Sequence, residues 1–163
     1  MPNSQYLYAN DEKTYYIKLV GGLSYISCAG FKSFTDKLLS EDLAEEIYFD
    51  LTKTTSIDST NLGILAKCAL YFVNKKKTKP IIYSTNRDVT LVLSKNSFNT
   101  IFDIVTNDEI PPKEMSEVLA ARFEDKNNLN KTILETHEAL SRINESNKLK
   151  YKDVLQLLRF KRN

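Results

Sequence analysis

The chain has 163 residues, with 23 Lys and Arg against 21 Asp and Glu, and its net charge of +2 is too small to argue for a nucleic-acid partner. At 42% hydrophobic and 27% charged residues it has the composition of a globular protein long enough to bury a core in one domain. No apolar run approaches the roughly 20 residues that a membrane-spanning helix needs, so no membrane insertion is expected.

The start, Met1-Pro2-Asn3-Ser4-Gln5-Tyr6, offers neither a basic n-region nor an apolar h-region, and a cytoplasmic location is expected. Residues 5–9 and 14–20 read as two strands around a turn at Asn10, Asp11, Glu12 and Lys13. In the second, Ile17 and Leu19 alternate with Tyr16, Lys18 and Val20, as a strand with one more buried face requires. Gly21-Gly22 punctuates, and residues 23–27 read as a short third strand. Phe31, Phe34, Leu38 and Leu39 then fall at i, i+3, i+7 and i+8, which predicts an amphipathic helix over 28–39. Glu41, Asp42, Glu45 and Glu46 cover a loop.

Residues 47–51 form an apolar strand that runs into a polar loop ending at Asp58-Ser59-Thr60. From Leu62 the apolar side chains recur at helical spacing, with Leu65, Ala66, Ala69 and Val73 on one face and Phe72 beside them. Lys75, Lys76, Lys77 and Lys79 follow, either as a solvated helix end favoured by the dipole or as a basic patch. Residues 80–84 read as a buried strand. Asn86 can cap a helix over 88–95 with Val89, Val92 and Leu93 inward. Residues 101–105 make a last strand. From residue 47 onward strands and helices alternate at βαβαβ spacing, which requires parallel pairing and right-handed crossovers. The fold class is α/β, a mixed sheet with helices packed on it, over residues 1–106.

Pro111 and Pro112 close that unit, and residues 107–163 read as a helical extension. One helix is predicted over 113–125. One or two more span 129–160, with Leu129, Ile133, Leu140, Ile143, Val154 and Leu158 as the apolar stripe and a break between 144 and 150. The extension is either a hairpin packed on the domain or a partner-binding, dimerising helix. Residues 148–163 carry six basic side chains and one acidic, an exposed terminus or a surface for nucleic-acid phosphates.

The residues that carry enzymatic chemistry are sparse. Gly-x-Ser-x-Gly is absent, and the four glycines form neither a Walker A loop nor a dinucleotide fingerprint. Cys28 and Cys68 lie 40 residues apart inside apolar patterns and read as buried thiols. The single histidine, His137, is far in sequence from Ser59 and is expected to be a half-exposed helix residue. Asp50 and Asp58 could pair on a metal, but carboxylates at strand–helix loops more often cap helices or stay solvated. No enzyme activity, cofactor or metal is expected.

Ser59 stands at the mouth of a helix, where a side-chain oxygen caps free N–H groups and an added anion is tolerated. The run Asp58-Ser59-Thr60-Asn61-Leu62-Gly63, between a strand ending in Asp50-Leu51 and an apolar helix, resembles the phosphoacceptor motif of STAS-domain anti-sigma-factor antagonists, Asp-Ser-Ser/Thr-x-Leu-Gly. Ile17, Lys18, Leu19, Val20 and Gly21 match that family's early strand and glycine. Lys79-Pro80-Ile81-Ile82-Tyr83-Ser84-Thr85 and Phe98-x-x-Ile101-Phe102-Asp103-Ile104-Val105 fit its later strands, so the resemblance covers roughly residues 14–106. The length and the run Glu135-Thr136-His137-Glu138-Ala139-Leu140-Ser141-Arg142-Ile143-Asn144-Glu145 resemble one γ-proteobacterial branch, the HsbA-like antagonists. Two positions depart: Asn61 replaces a common glycine and Thr60 a common serine.

The resemblance implies a STAS fold and a binding protein that is a substrate rather than a catalyst. It implies phosphorylation at Ser59, with Thr60 as a minor acceptor, and a partner-binding loop of Asp58, Asn61, Leu62 and Gly63. Asp58 is either an orienter of the loop and hydroxyl or a plain helix cap. The partners implied are an anti-sigma factor or serine kinase, a PP2C-type phosphatase carried in a response regulator, and a second signalling partner such as a diguanylate cyclase. The competing expectation is a STAS scaffold or accessory module of a larger signalling or transport assembly, with Ser59 only a cap.

Overall fold

In a computed structural model the described residues are 4–108, 110–111 and 113–162, with side chains described to 160; Pro112 lies outside them. Strands β1 (Gln5–Asp11) and β2 (Thr14–Leu23) form an antiparallel hairpin. Helix α1 (Ala29–Ser40) leads to β3 (Glu46–Asp50), which pairs in parallel with the first half of β2. Strand β4 (Thr54–Ile57) continues along the second half of β2 and delivers the chain to α2 (Ser59–Tyr71). A π-helical turn (Phe72–Lys76), β5 (Ile81–Tyr83), α3 (Arg87–Lys95) and β6 (Asp103–Val105) complete the alternation, and β5 and β6 add in parallel beyond β3.

The order across the sheet is β6-β5-β3-β2-β1-β7, with β4 on β2. Register explains the core. Tyr6 pairs with Leu19, Ile17 with Phe49, Phe49 with Ile82 and Ile82 with Ile104, so these side chains share one face. Helix α1 packs on that face, with Phe31 stacked on Tyr6 at 4.7 Å and Phe34 against Tyr8 at 4.8 Å. The opposite face stays partly open, where Tyr16 stacks on Tyr48 at 5.2 Å.

Several local readings are corrected. Residues 23–27 are not a strand: β2 runs on through Gly21 and Gly22 to Leu23, and the chain then turns. Gly21 takes φ 87° where the register of β2 on β4 shifts, a conformation that costs glycine little. The supposed loop before Ser59 is strand β4; its Thr54 hydroxyl donates to the Leu19 carbonyl at 2.7 Å, and polar residues serve because two of its four side chains are exposed.

The helix predicted over 113–125 does not form. That stretch crosses the sheet edge instead, adding a short strand β7 (Ser116–Glu117) to β1 and resting Leu119–Ala121 on α1. A Cβ on Gly30 would come within 2.3 Å of the Leu119 carbonyl, so α1 offers its backbone to this crossing.

Three helices follow: α4 (Lys126–Ser141), α5 (Glu145–Lys150) and α6 (Lys152–Arg162). Asp125 and Asn144 cap the first two by accepting from Asn128 N and Asn147 N. The break expected between 144 and 150 is instead the short α5; the chain leaves helix just before it, at 142–144, and just after it, at Tyr151. Leu134, Ala139, Leu140, Tyr151 and Leu155 join the same core as the strands, so these helices pack on the domain. Among the described residues no helix is long and apolar enough to cross a membrane.

Candidate functional site

The site is the junction of β4 and α2. Asp58 is the N-cap of α2, in extended conformation, and its carboxylate accepts from Asn61 N and Asn61 Nδ2, each at 2.9 Å. Its second oxygen accepts from Tyr25 N at 2.6 Å, tying the turn after β2 to the mouth of the helix. One carboxylate thus caps α2 and bonds the backbone of the turn after β2. Ser59 is then the first helical residue and not the cap.

Behind this mouth the residues are buried. Asn61 has no exposed surface; its Oδ1 accepts from the Tyr6 hydroxyl at 2.8 Å, which locks the α2 N-terminus to β1. Burial raises the Tyr6 hydroxyl pKa well above its usual range, so it stays a donor. Thr60 is 4% exposed and Leu62 2%, and Gly63 is buried too. Of the six motif residues only Asp58 and Ser59 remain half-buried and reach the surface.

His137 is where the structure departs furthest from expectation. It is buried at 6% exposure, not half-exposed, and its Nε2 lies 2.8 Å from Ser59 Oγ. Nδ1 lies 2.7 Å from the Ile133 carbonyl. A carbonyl can only accept, so Nδ1 carries a proton; in the neutral ring Nε2 then presents a lone pair and the Ser59 hydroxyl donates to it. Burial lowers the imidazole pKa, against smaller opposite pulls from the Ile133 carbonyl and from Asp58. Burial thus favours the neutral ring, which has Tyr151 edge-on at 5.8 Å.

Helix α4 brings His137 to this point because it crosses α2 with almost no separation. A Cβ on Gly63 would sit 2.3 Å from the Thr136 carbonyl. Two residues before His137, Glu135 joins Lys67 of α2 at 2.5 Å and Lys32 of α1 at 3.2 Å, and Asp36 of α1 bonds both lysines. Burial alone would push the Glu135 carboxyl pKa up, yet Lys67 and Lys32 together hold it below the usual range. Lys32 is 8% exposed, an amount tolerable for a cation only because two carboxylates meet it.

Other candidates are placed elsewhere. Asp50 is 4% exposed at the end of β3 and accepts from Thr52 N and Oγ1 at 2.9 and 2.6 Å. Among the described residues no group of His, Cys, Asp or Glu is gathered as a metal site. Cys28 and Cys68 are free and buried, and burial pushes both thiols up to about 12.

No protein-family model matches the chain, and no curated protein matches it in sequence. Among solved structures, the anti-sigma factor antagonist SpoIIAA in its unphosphorylated form is similar to it, with a TM-score of 0.51 and 14% identity. The match covers 65% of this chain and 90% of that one. The architecture is therefore the STAS fold, the expected mixed sheet with helices packed on it.

Proposed function

We propose that this chain is an anti-sigma-factor antagonist of the phosphorylation-dependent, partner-switching kind, with Ser59 as the acceptor. The observation that carries the reading is the position of Ser59: first residue of α2, half-exposed at a strand-to-helix junction, inside an Asp-Ser-Thr-x-Leu-Gly run on a STAS fold. Thr60 is the minor acceptor, since its burial keeps it behind Ser59. Asp58 and Asn61 orient the loop, and Leu62 and Gly63 seat the helix beneath it.

A phosphoryl group adds about −1.5 to −2 charges and three strong acceptor oxygens. Placed here it makes a docking surface bulky and negative, so a partner that fits bare Ser59 is repelled. The partners are an anti-sigma factor or serine kinase, with a PP2C-type phosphatase in a response regulator as the reset and a diguanylate cyclase as a second signalling partner. The HsbA-like branch is the affiliation that the tail supports. Residues 1–106 carry the STAS domain of this switch, which acts in the cytoplasm, and residues 107–163 are its extension, which lends β7 to the sheet before its helices.

The chain works as a substrate and a binding module, without enzymatic turnover. The Ser59–His137 pair has the look of a nucleophile and base, but the second ring nitrogen meets the Ile133 carbonyl rather than a carboxylate. That arrangement lacks the carboxylate on the second ring nitrogen that orients and supports the imidazolium of a catalytic triad, and burial disfavours the charged ring.

Phosphosite mapping by mass spectrometry on protein isolated from its own cells, with and without stress, tests the reading. Phosphate on Ser59 in one condition is expected, together with opposite partner sets captured by Ser59→Ala and Ser59→Asp. Absence of label in every condition, or identical partners for both variants, sinks it. A second reading keeps Ser59 structural within a scaffold module of a larger assembly, and the engagement of its hydroxyl by His137 favours that. There, co-purification with assembly subunits is unchanged by either variant.

A further inference from the structure

We propose that His137 reads the chemical state of Ser59: it accepts the hydroxyl's hydrogen bond in the bare protein and, once Ser59 is phosphorylated, holds the phosphoryl group as an imidazolium with α4 still docked. The inference deepens the phosphoacceptor reading of Ser59 and rests on it.

The tautomer sets the logic. With Nδ1–H committed to the Ile133 carbonyl, Nε2 can only accept, and its partner is the atom that phosphorylation would modify. A phosphoserine has no hydroxyl proton to give. A neutral His137 would then point a lone pair at phosphate oxygens, two acceptors in a half-buried space. Either the contact breaks and α4 leaves, or the ring gains a proton and becomes a donor.

The packing decides between these. Helix α4 is held by the backbone approach of Thr136 to Gly63, by Glu135 between Lys32 and Lys67, and by the buried Leu134, Ala139 and Leu140. Asn147 anchors the following turn by donating to the Asn96 and Leu140 carbonyls, each at 2.9 Å. The loss of one hydrogen bond does not undo that set. Protonation of a single ring restores the contact and adds a charge-assisted bond.

The chemistry balances with the same proton. A nucleoside triphosphate, brought by the serine kinase, gives its terminal phosphoryl group to Ser59 Oγ. The Oγ–P bond forms, the terminal anhydride P–O bond breaks, and a nucleoside diphosphate leaves. The hydroxyl proton passes to Nε2, which already faces it. The titratable groups that face the ring are Asp58, whose negative charge favours the imidazolium, and Tyr151, whose phenol burial keeps neutral. His137 takes up that one proton and then holds the phosphoryl group; turnover belongs to the kinase.

The test installs phosphoserine at position 59 of the full chain during synthesis by codon reassignment, so it needs no kinase. The chain has a single histidine, and its imidazole NMR signal is followed through a pH titration in the bare protein and the phosphoprotein. The expected result is at least a tenfold rise in proton affinity on phosphorylation, with amide exchange in α4 as slow as before. In the phosphoprotein His137→Ala speeds α4 exchange at least tenfold, and His137→Gln, which keeps a donor, restores most of the protection.

An unchanged titration overturns the proposal, and so does loss of α4 protection in the phosphoprotein with His137 intact. Failure to find phosphate on Ser59 in cells would instead strike the function reading alone.

Discussion

Gly63 lies directly beneath Thr136: a side-chain carbon on the glycine would come within 2.3 Å of the Thr136 carbonyl oxygen and 2.4 Å of its Cβ. This contact is what lets a helix near the end of the chain reach the mouth of α2. Because the obstructing atoms are backbone as well as side chain, no rotamer change relieves the clash. Gly63→Ala should therefore cost about 1–3 kcal/mol, the usual range for overpacking, despite alanine's better helix propensity. Urea denaturation measures the loss, and hydrogen exchange should show it concentrated in α4 and α5 with the β-sheet protected. A neutral or stabilising Gly63→Ala would mean the two helices are not held this closely.

Asp58 gathers three N–H groups onto one carboxylate: Tyr25 N, Asn61 N and Asn61 Nδ2. Removing an N-cap costs about 0.5–2 kcal/mol. Asp58→Ala should fall at the upper end because Tyr25 N loses its acceptor as well. Asp58→Asn retains one oxygen and should recover part of the loss. If Asp58→Ala matches wild type in a denaturant titration, the carboxylate is not what sets the loop.

The bond from Ser59 to His137 predicts an energetic coupling that neither residue shows alone. Ser59→Ala leaves a buried ring nitrogen without its donor, a penalty of about 1–3 kcal/mol. His137→Phe removes the acceptor but keeps a ring to meet Tyr151. A double-mutant cycle should give a coupling of about 0.5–1.5 kcal/mol, and additivity within about 0.3 kcal/mol would show the bond absent in solution.

Most of the elements and the core of the first hundred residues were legible because period-2 and period-3.6 patterns report burial directly. Ile17, Leu19, Phe49 and Leu65 have no exposed surface, as their spacing required. Strand β4 was not legible, since Thr54 and Ser56 pair with β2 along the backbone while their side chains, like that of Thr55 between them, look like loop chemistry. The stretch around β7 misled for a related reason. Its Glu and Ala residues favour helix, but pairing with β1 and the bare backbone of Gly30 offered a better tertiary partner. The site was half legible. Asp58 and Ser59 announced themselves by position, whereas His137 lies 78 residues away. One signal was available: His137 is four residues after Ile133 and three before Leu140, on the inward stripe of α4. A lone polar residue on such a stripe asks for a buried partner.

The buried imidazole also makes stability depend on pH in a window of its own. Burial lowers the His137 pKa from its ordinary 6.5, so the unfolded chain takes up a proton that the folded chain resists. The neutral ring's contribution is complete above about pH 6.5 and is lost as pH falls from there toward the lower, folded-state value. Glu135 and Asp42, also lowered in the fold, start from ordinary values of 4.5 and 3.8, so their contributions are present above those values and fade only in more acid solution. Between about pH 6.5 and 5 the titration of His137 therefore stands apart. The unfolding free energy from urea titrations should fall through that interval with a slope of at most about 1.4 kcal/mol per pH unit, the limit for one proton. His137→Gln, which does not titrate, should flatten the curve there and leave the acid limb below about pH 4.5 in place. A wild-type profile that is already flat across the interval would mean that Ser59 Oγ does not face a neutral ring.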